Sequence, residues 1–358
     1  MEEEEWRNEN GKVSLFAIHA HPSSSHGLPA VPTHPSPAPG TPPWLWPHVL
    51  SLEAPLVAML WLAALAKVND FSLMPGVLPG LGLTVWLIYL MDRVLDTIGV
   101  PEQGLSLRHR FYRRFRWPLL AGVIPVIAGV VAWLALWVIP VGLLAHSVAQ
   151  VLPIGLYLVL YSVGSSRARR WLIQGGVLLL IFAINTLPMP LSVAVTVSVL
   201  IAGATLVAMK LNWHDHIGQF FRKEVAAGIL FAFGCTTWTR FHALGSEGPD
   251  IWAELILLGL LFVSNLALIT SREAAPGKAA ATGASTHRGA LVVALVCLAA
   301  IQVESLPATL LPLTLAVLAG LGGLEILWQK RQQLSQEAFR VWADAVVALP
   351  AAGLLLMP

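Results

Sequence analysis

Residues 73–96 read LMPGVLPGLGLTVWLIYLMDRVLD. No charged side chain occurs before Asp92, and then Asp92, Arg93 and Asp96 follow within little more than one helical turn. A helix needs about 20 mainly apolar residues to cross roughly 30 Å of hydrocarbon. The stretch is long enough to cross a bilayer, and its charges all gather at one mouth. Because a charged side chain held in hydrocarbon costs roughly 3 kcal/mol or more, such residues sit where they are paired, wetted or used. The end of this segment therefore carries both the reading of the fold and the first clue to function.

Working outward, similar apolar runs lie at 49–66, 117–136, 139–161, 171–188, 191–209, 224–243, 251–270, 289–304, 307–328 and 342–357. With 73–91 they make nine to eleven crossings, since 289–304 and 342–357 are short enough to be re-entrant or interfacial. The expected fold class is all-α, a polytopic integral membrane bundle of 9–11 transmembrane helices. Composition agrees, with 56% hydrophobic and 12% charged residues where a soluble domain has about 25% charged. A net charge of +2 gives no reason to expect nucleic acid as a partner. Cys235 and Cys297 fall inside apolar runs and read as packing residues, with no disulfide or metal spacing.

Residues 1–43 begin with Glu2 to Glu5 and continue rich in Pro, Ser and His without hydrophobic periodicity, so they read as a disordered tail before a transmembrane domain over 44–358. The acidic start is unlike a secretory signal, and no cleavage is expected. The stretch 274–288, AAPGKAAATGASTHR, reads as a flexible loop.

Basic residues set the orientation, because short loops rich in Lys and Arg stay in the cytoplasm. The alternate loops after the second, fourth, sixth, eighth and tenth runs, together with the tail, hold 20 of the 22 Lys and Arg residues, leaving Lys67 and Arg240 on the other side. The N-terminus is thus expected in the cytoplasm, with the chain in the cell inner membrane.

Two polar stretches share that side. One is 88–96, where Asp92 and Asp96, four apart, lie on one helix face. The other is 212–219, Asn-Trp-His-Asp-His-Ile-Gly-Gln. Paired carboxylates suit Mg²⁺, which takes one or two of them together with phosphate oxygens. Arg93, Arg108, Lys210, Arg222 and Lys223 surround them and can receive phosphate directly. The plain alternative is that the aspartates pair with neighbouring arginines at a helix end and that His214 and His216 cap or hydrogen-bond at the interface. Arg340 and Asp344, four apart near the C-terminus, are expected to pair with each other.

The stretch 88–96 resembles the first aspartate-rich motif of the UbiA superfamily of intramembrane prenyltransferases, with Asp92 and Asp96 at its second and third aspartates and Arg93 after the second. The stretch 212–219 is similar to the second motif, overlaid on Asn212, Asp215 and Gln219. Tyr161 followed by Arg167 to Arg170 is similar to the segment between the fourth and fifth helices. Order and helix placement agree over about residues 45–270, with helices in 289–358 as an extension. Ile88 and Tyr89 stand where the family has Asn and Asp, and Asn212 and Gln219 replace aspartates.

This resemblance implies transfer of a prenyl group from a prenyl diphosphate to an aromatic or other lipophilic acceptor. It implies Mg²⁺ held by Asp92, Asp96, Asp215 and Asn212, with Arg93, Arg108, Tyr161, Arg170 and Lys210 meeting substrate. The amides, which would weaken metal binding, keep a second reading open: a non-catalytic protein that binds or moves an isoprenoid or other membrane lipid. An ion-coupled transporter is a weaker third, because Glu304, Glu325 and Asp344 all sit near span ends.

Overall fold

The computed structural model describes residues 43–97, 107–162, 222–243, 250–273 and 278–357. Every regular element among them is helical. They are α1 (Trp46–Val49), α2 (Glu53–Val68), α3 (Val77–Asp96), α4 (Leu107–Arg114), α5 (Arg116–Trp137), α6 (Val141–Ser162), α7 (Lys223–Cys235), α8 (Thr237–His242), α9 (Asp250–Glu273), α10 (Lys278–Gln302), α11 (Leu311–Gln329) and α12 (Gln336–Leu356). Among the described residues six helices are long and apolar enough to cross a membrane: α3, α5, α9, α10, α11 with the turn before it, and α12. The described residues are all-helical, and the six apolar helices mark a multi-pass membrane protein. The expected runs at 171–188 and 191–209 lie outside the described residues.

The runs at 289–304 and 342–357, which look short in the sequence, belong to helices that begin earlier. α12 starts at Gln336, where the Ser335 hydroxyl accepts from the Ala338 N–H, an N-cap that a hydropathy reading passes over. α10 starts at Lys278, so most of the segment expected to be a loop is helical. Its alanines favour helix. Gly283 then lets it press against α9, since a Cβ there would come 1.8 Å from Ser271 Oγ and 2.6 Å from the Ala267 carbonyl oxygen. Helix pairs in lipid gain from such close contact, because no hydrophobic force drives them together.

Other departures from ideal helix also have local causes. Pro125 cannot donate to the carbonyl four residues back, and the preceding turn, Leu119–Val123, is widened to a π-helix. The run at 224–243 is broken at Thr236, whose hydroxyl bonds to the Ala232 carbonyl at 2.9 Å and competes with the ladder.

α9 is the central post, packed against α7, α10, α11 and α12, while α2 packs against α3 and α12. α2 has 16 residues and is shorter than a bilayer, yet it lies deep in the bundle: Trp61 has no exposed surface and donates its Nε1–H to the Val347 carbonyl of α12 at 3.0 Å. The outward faces are apolar instead of polar, with Trp133, Leu136, Val292, Val296 and Leu349 all more than half exposed. Such a surface is the one a bilayer covers.

Helix polarity collects the charged ends. The C-termini of α3 and α9 and the N-termini of α2, α7 and α12 all contribute side chains to one end of one cavity. At the other end of α2, Lys67 donates to the Leu355 carbonyl at 2.9 Å and also to that of Met357.

Candidate functional site

The site is built on the last two turns of α3. Helical spacing puts Val85, Ile88, Tyr89, Asp92 and Asp96 along one side, and all five line the cavity. Arg93 lies one position round from Asp92. Its Nη1 is 3.4 Å from Asp96 Oδ2 and 3.7 Å from Asp92 Oδ2, and its guanidinium stands 6.0 Å from the centre of the Tyr89 ring. From across the cavity comes Lys223, the first residue of α7. Its Nζ lies 3.3 Å from Asp92 Oδ1, 3.3 Å from Asp96 Oδ1 and 3.5 Å from Asp96 Oδ2, with the Tyr157 ring of α6 at 6.0 Å. The two aspartates expected from the sequence thus face the cavity together, clasped by one arginine and one lysine.

The remaining carboxylates around this end also have partners. Glu273 pairs with Arg340, and Glu224 lies 3.5 Å from Arg222 Nε. Asp344 accepts from Asn265 Nδ2 at 2.9 Å, so Arg340 and Asp344, though four apart, engage α9 and not each other. The reason is packing: both face the interior of the bundle, where α9 offers a carboxylate and an amide. Glu53 accepts from His48 Nδ1 at 2.8 Å, and His48 Nε2 reaches Glu337 at 3.0 Å. Burial alone would push His48 down, but the hydrogen bonds from Glu337 and Glu53 outweigh it and hold the imidazole above its ordinary range.

Arg108 on α4 differs from these cations. It is 4% exposed, lines the cavity, and its Nε and Nη2 find no hydrogen-bond partner. Burial, then the neighbouring charges of Arg93 and Arg340, lower its proton affinity well below the usual guanidinium range, against a weaker attraction from Glu273 and Glu337. The same three arginines act on His109 after burial itself, taking that ring down to about 4. A buried cation with unsatisfied donors beside an open cavity is poised to receive an anion.

Away from this end the cavity is mainly apolar, walled by Leu81, Val131, Ile154, Leu230, Phe231, Phe262 and Val347 among others, with Thr84, Ser147, Gln150 and Thr237 as polar points, and its volume is about 600 Å³. That is within the range of small-molecule sites, typically ~300–1,000 Å³. The cavity thus joins a charged end, where carboxylates and cations mix, to a mainly apolar body.

Of the residues expected to form the site, Asp92, Arg93, Asp96 and Arg108 are brought together. Tyr161 lies against Tyr157, the ring centres 5.4 Å apart and the planes tilted by 43°, but it is Tyr157, one turn earlier, that lines the cavity. Arg170, Lys210, Asn212 and Asp215 lie outside the described residues. Among the described residues no group of three or more His, Cys, Asp or Glu gathers as a metal site. The Asp92 and Asp96 oxygens that would take Mg²⁺ already hold an ammonium between them, so as arranged this pair does not accommodate the metal. Arg340, Asp344 and Asn265 belong to the site and were not legible as such, because helices that meet only in the fold supply them. No protein-family model, curated protein or solved structure matches this chain.

Proposed function

We propose that this chain is an intramembrane protein of UbiA-like type that takes a prenyl diphosphate, head at the charged end and tail in the apolar body, and transfers the prenyl group to a lipophilic acceptor. The observation that supports it most is Arg108, buried with its Nε and Nη2 lacking hydrogen-bond partners and lining the same cavity as the Asp92–Asp96 pair. In this reading the bond between C1 and the diphosphate oxygen breaks, and both electrons leave with the diphosphate. Arg108, Arg93 and Lys223 receive that charge. The allylic cation lies near the rings of Tyr89, Tyr157 and Phe231, whose faces stabilise positive charge. An acceptor carbon captures it and gives up a proton to the released diphosphate. The resemblance at 88–96 and 212–219 supports the same reading from the sequence.

A second reading is favoured by one observation: both aspartates are occupied by Arg93 and Lys223. A protein so arranged can bind and hold an isoprenoid diphosphate without cleaving it. Labelled geranyl and farnesyl diphosphate, supplied with lipid extract as acceptor, separate the two. Diphosphate release that is lost in Asp92→Asn supports the transferase, and tight binding without release supports the binder. Failure of Arg108→Met to weaken binding refutes both.

We place the charged end, with the N-terminus, on the cytoplasmic side of the cell inner membrane, from the 20 of 22 basic residues assigned to that side. Reporter fusions after residue 166 test this, and an external reporter there overturns it.

A further inference from the structure

We propose that Lys223 is a built-in counter-cation: its ammonium takes the bridging position between Asp92 and Asp96 that a divalent metal would occupy, so the head of the anionic ligand is bound without one. The inference rests on the ligand class proposed above, but its first test needs no ligand.

Three observations carry it. Lys223 Nζ is 3.3 Å from an oxygen of each aspartate, so one cation bridges both carboxylates. Arg93 lies 3.7 Å from Asp92 Oδ2 and 3.4 Å from Asp96 Oδ2, which Lys223 also reaches at 3.5 Å, so two cations already face the two carboxylates. Adding Mg²⁺ would bring two further positive charges against the ammonium and the guanidinium at close range, where like charges repel. The lysine is also tethered, at the first position of α7, so the carboxylates never wait for a cation from solution.

The side chain can also move. Lys223 is 36% exposed, whereas Asp92 is 9% and Arg93 15% exposed at the side chain. Its flexible stem allows the ammonium to swing from the aspartates to an arriving phosphate while Arg93 keeps hold of the carboxylates. A metal bridge would join head group and aspartates rigidly. A lysine shares one charge between them.

The test uses the full chain in detergent or nanodiscs and Mn²⁺ as a spectroscopic stand-in for Mg²⁺. Electron paramagnetic resonance should find no stoichiometric Mn²⁺ site in the wild type that depends on Asp92. Lys223→Ala should create one, and adding Asp92→Asn should remove it. A wild-type Mn²⁺ site abolished by Asp92→Asn overturns the proposal, with no variant needing to retain every contact around Lys223. With geranyl diphosphate as probe, wild-type affinity should change less than twofold between EDTA and Mg²⁺, whereas Lys223→Ala should weaken binding at least tenfold in EDTA and recover it with Mg²⁺. A tenfold loss in the wild type on EDTA treatment also overturns it. If geranyl diphosphate binds neither protein under either condition, the ligand class has failed, and the Mn²⁺ result still decides the role of Lys223.

Discussion

Replacing Arg108 with methionine should make the protein more stable and its ligand less tightly held. Arg108 has two buried nitrogens without partners. Leaving a buried donor unsatisfied costs about 1–3 kcal/mol, and the nearby Arg93 and Arg340 add repulsion, against a smaller attraction from Glu273 and Glu337. Methionine keeps much of the apolar stem and removes both donors and the charge, so the folded state should gain about 1–3 kcal/mol in the absence of ligand. A hydrogen bond to a charged group is worth about 1.5–3 kcal/mol, so geranyl diphosphate should bind roughly 10- to 150-fold more weakly. Stability is read by reversible SDS titration of the purified full chain and affinity by scintillation proximity. A further readout is His109, whose ring should titrate closer to 6.5 once the nearest arginine is gone. If Arg108→Met destabilises the ligand-free protein by more than about 1 kcal/mol, the guanidinium is a brace, and the argument that it waits for an anion is wrong.

The close approach of α10 to α9 predicts that Gly283→Ala costs about 1–3 kcal/mol, because the Ala267 carbonyl oxygen that a Cβ would meet at 2.6 Å cannot turn aside. Gly289→Ala on the same helix meets nothing within 4 Å and should be neutral or gain up to about 1 kcal/mol, as SDS titration of the pair will show. For pH, the two histidines act at opposite ends. His48 titrates above 6.5 when folded, so its contribution is complete below that value and fades as pH rises through the folded value, a loss that His48→Gln should abolish. His109 resists protonation down to about 4, so stability falls as pH drops from 6.5 toward 4, and His109→Gln should flatten that limb of the unfolding profile. Trp61→Phe keeps a large ring but loses the bond to the Val347 carbonyl and should cost about 1 kcal/mol or more in the same titration.

Hydropathy carries the helix inventory well because lipid demands a simple thing of each span: a run of apolar residues with its backbone bonded internally. It carries boundaries less well where helices continue past the hydrocarbon. The polar starts of α10 and α12 are helical because alanine propensity and the Ser335 cap operate whatever the solvent. In the site, Asp92, Arg93 and Asp96 were legible because a single helix positions them, and spacing along one helix is a property of the sequence. That Lys223 sits on the aspartates was not legible. It depends on where α7 begins relative to the end of α3, more than a hundred residues away in the chain. Tyr157 and Tyr161 illustrate the same limit at one turn's resolution: both are on α6, and only its rotation in the bundle decides which one lines the cavity.

The C-terminal helices gain a role by the same logic. α12 is not an appendage to a core ending near residue 270, since Val347 receives the Trp61 hydrogen bond, Glu337 reaches His48, and Arg340 and Asp344 bond to α9 across the head of the cavity. These links join α12 to α2, α1 and α9. Arg340 also helps to depress the proton affinity of both Arg108 and His109. The helix therefore both closes the cavity and raises the positive potential at Arg108. That potential is what an anion entering the cavity relieves, so the loss of α12's charge at Arg340 should be felt at Arg108 before it is felt anywhere in the apolar body. Arg340→Gln should accordingly raise the titration value of His109 and weaken diphosphate binding together, while a neutral alkyl chain of the same length as the prenyl tail binds as before.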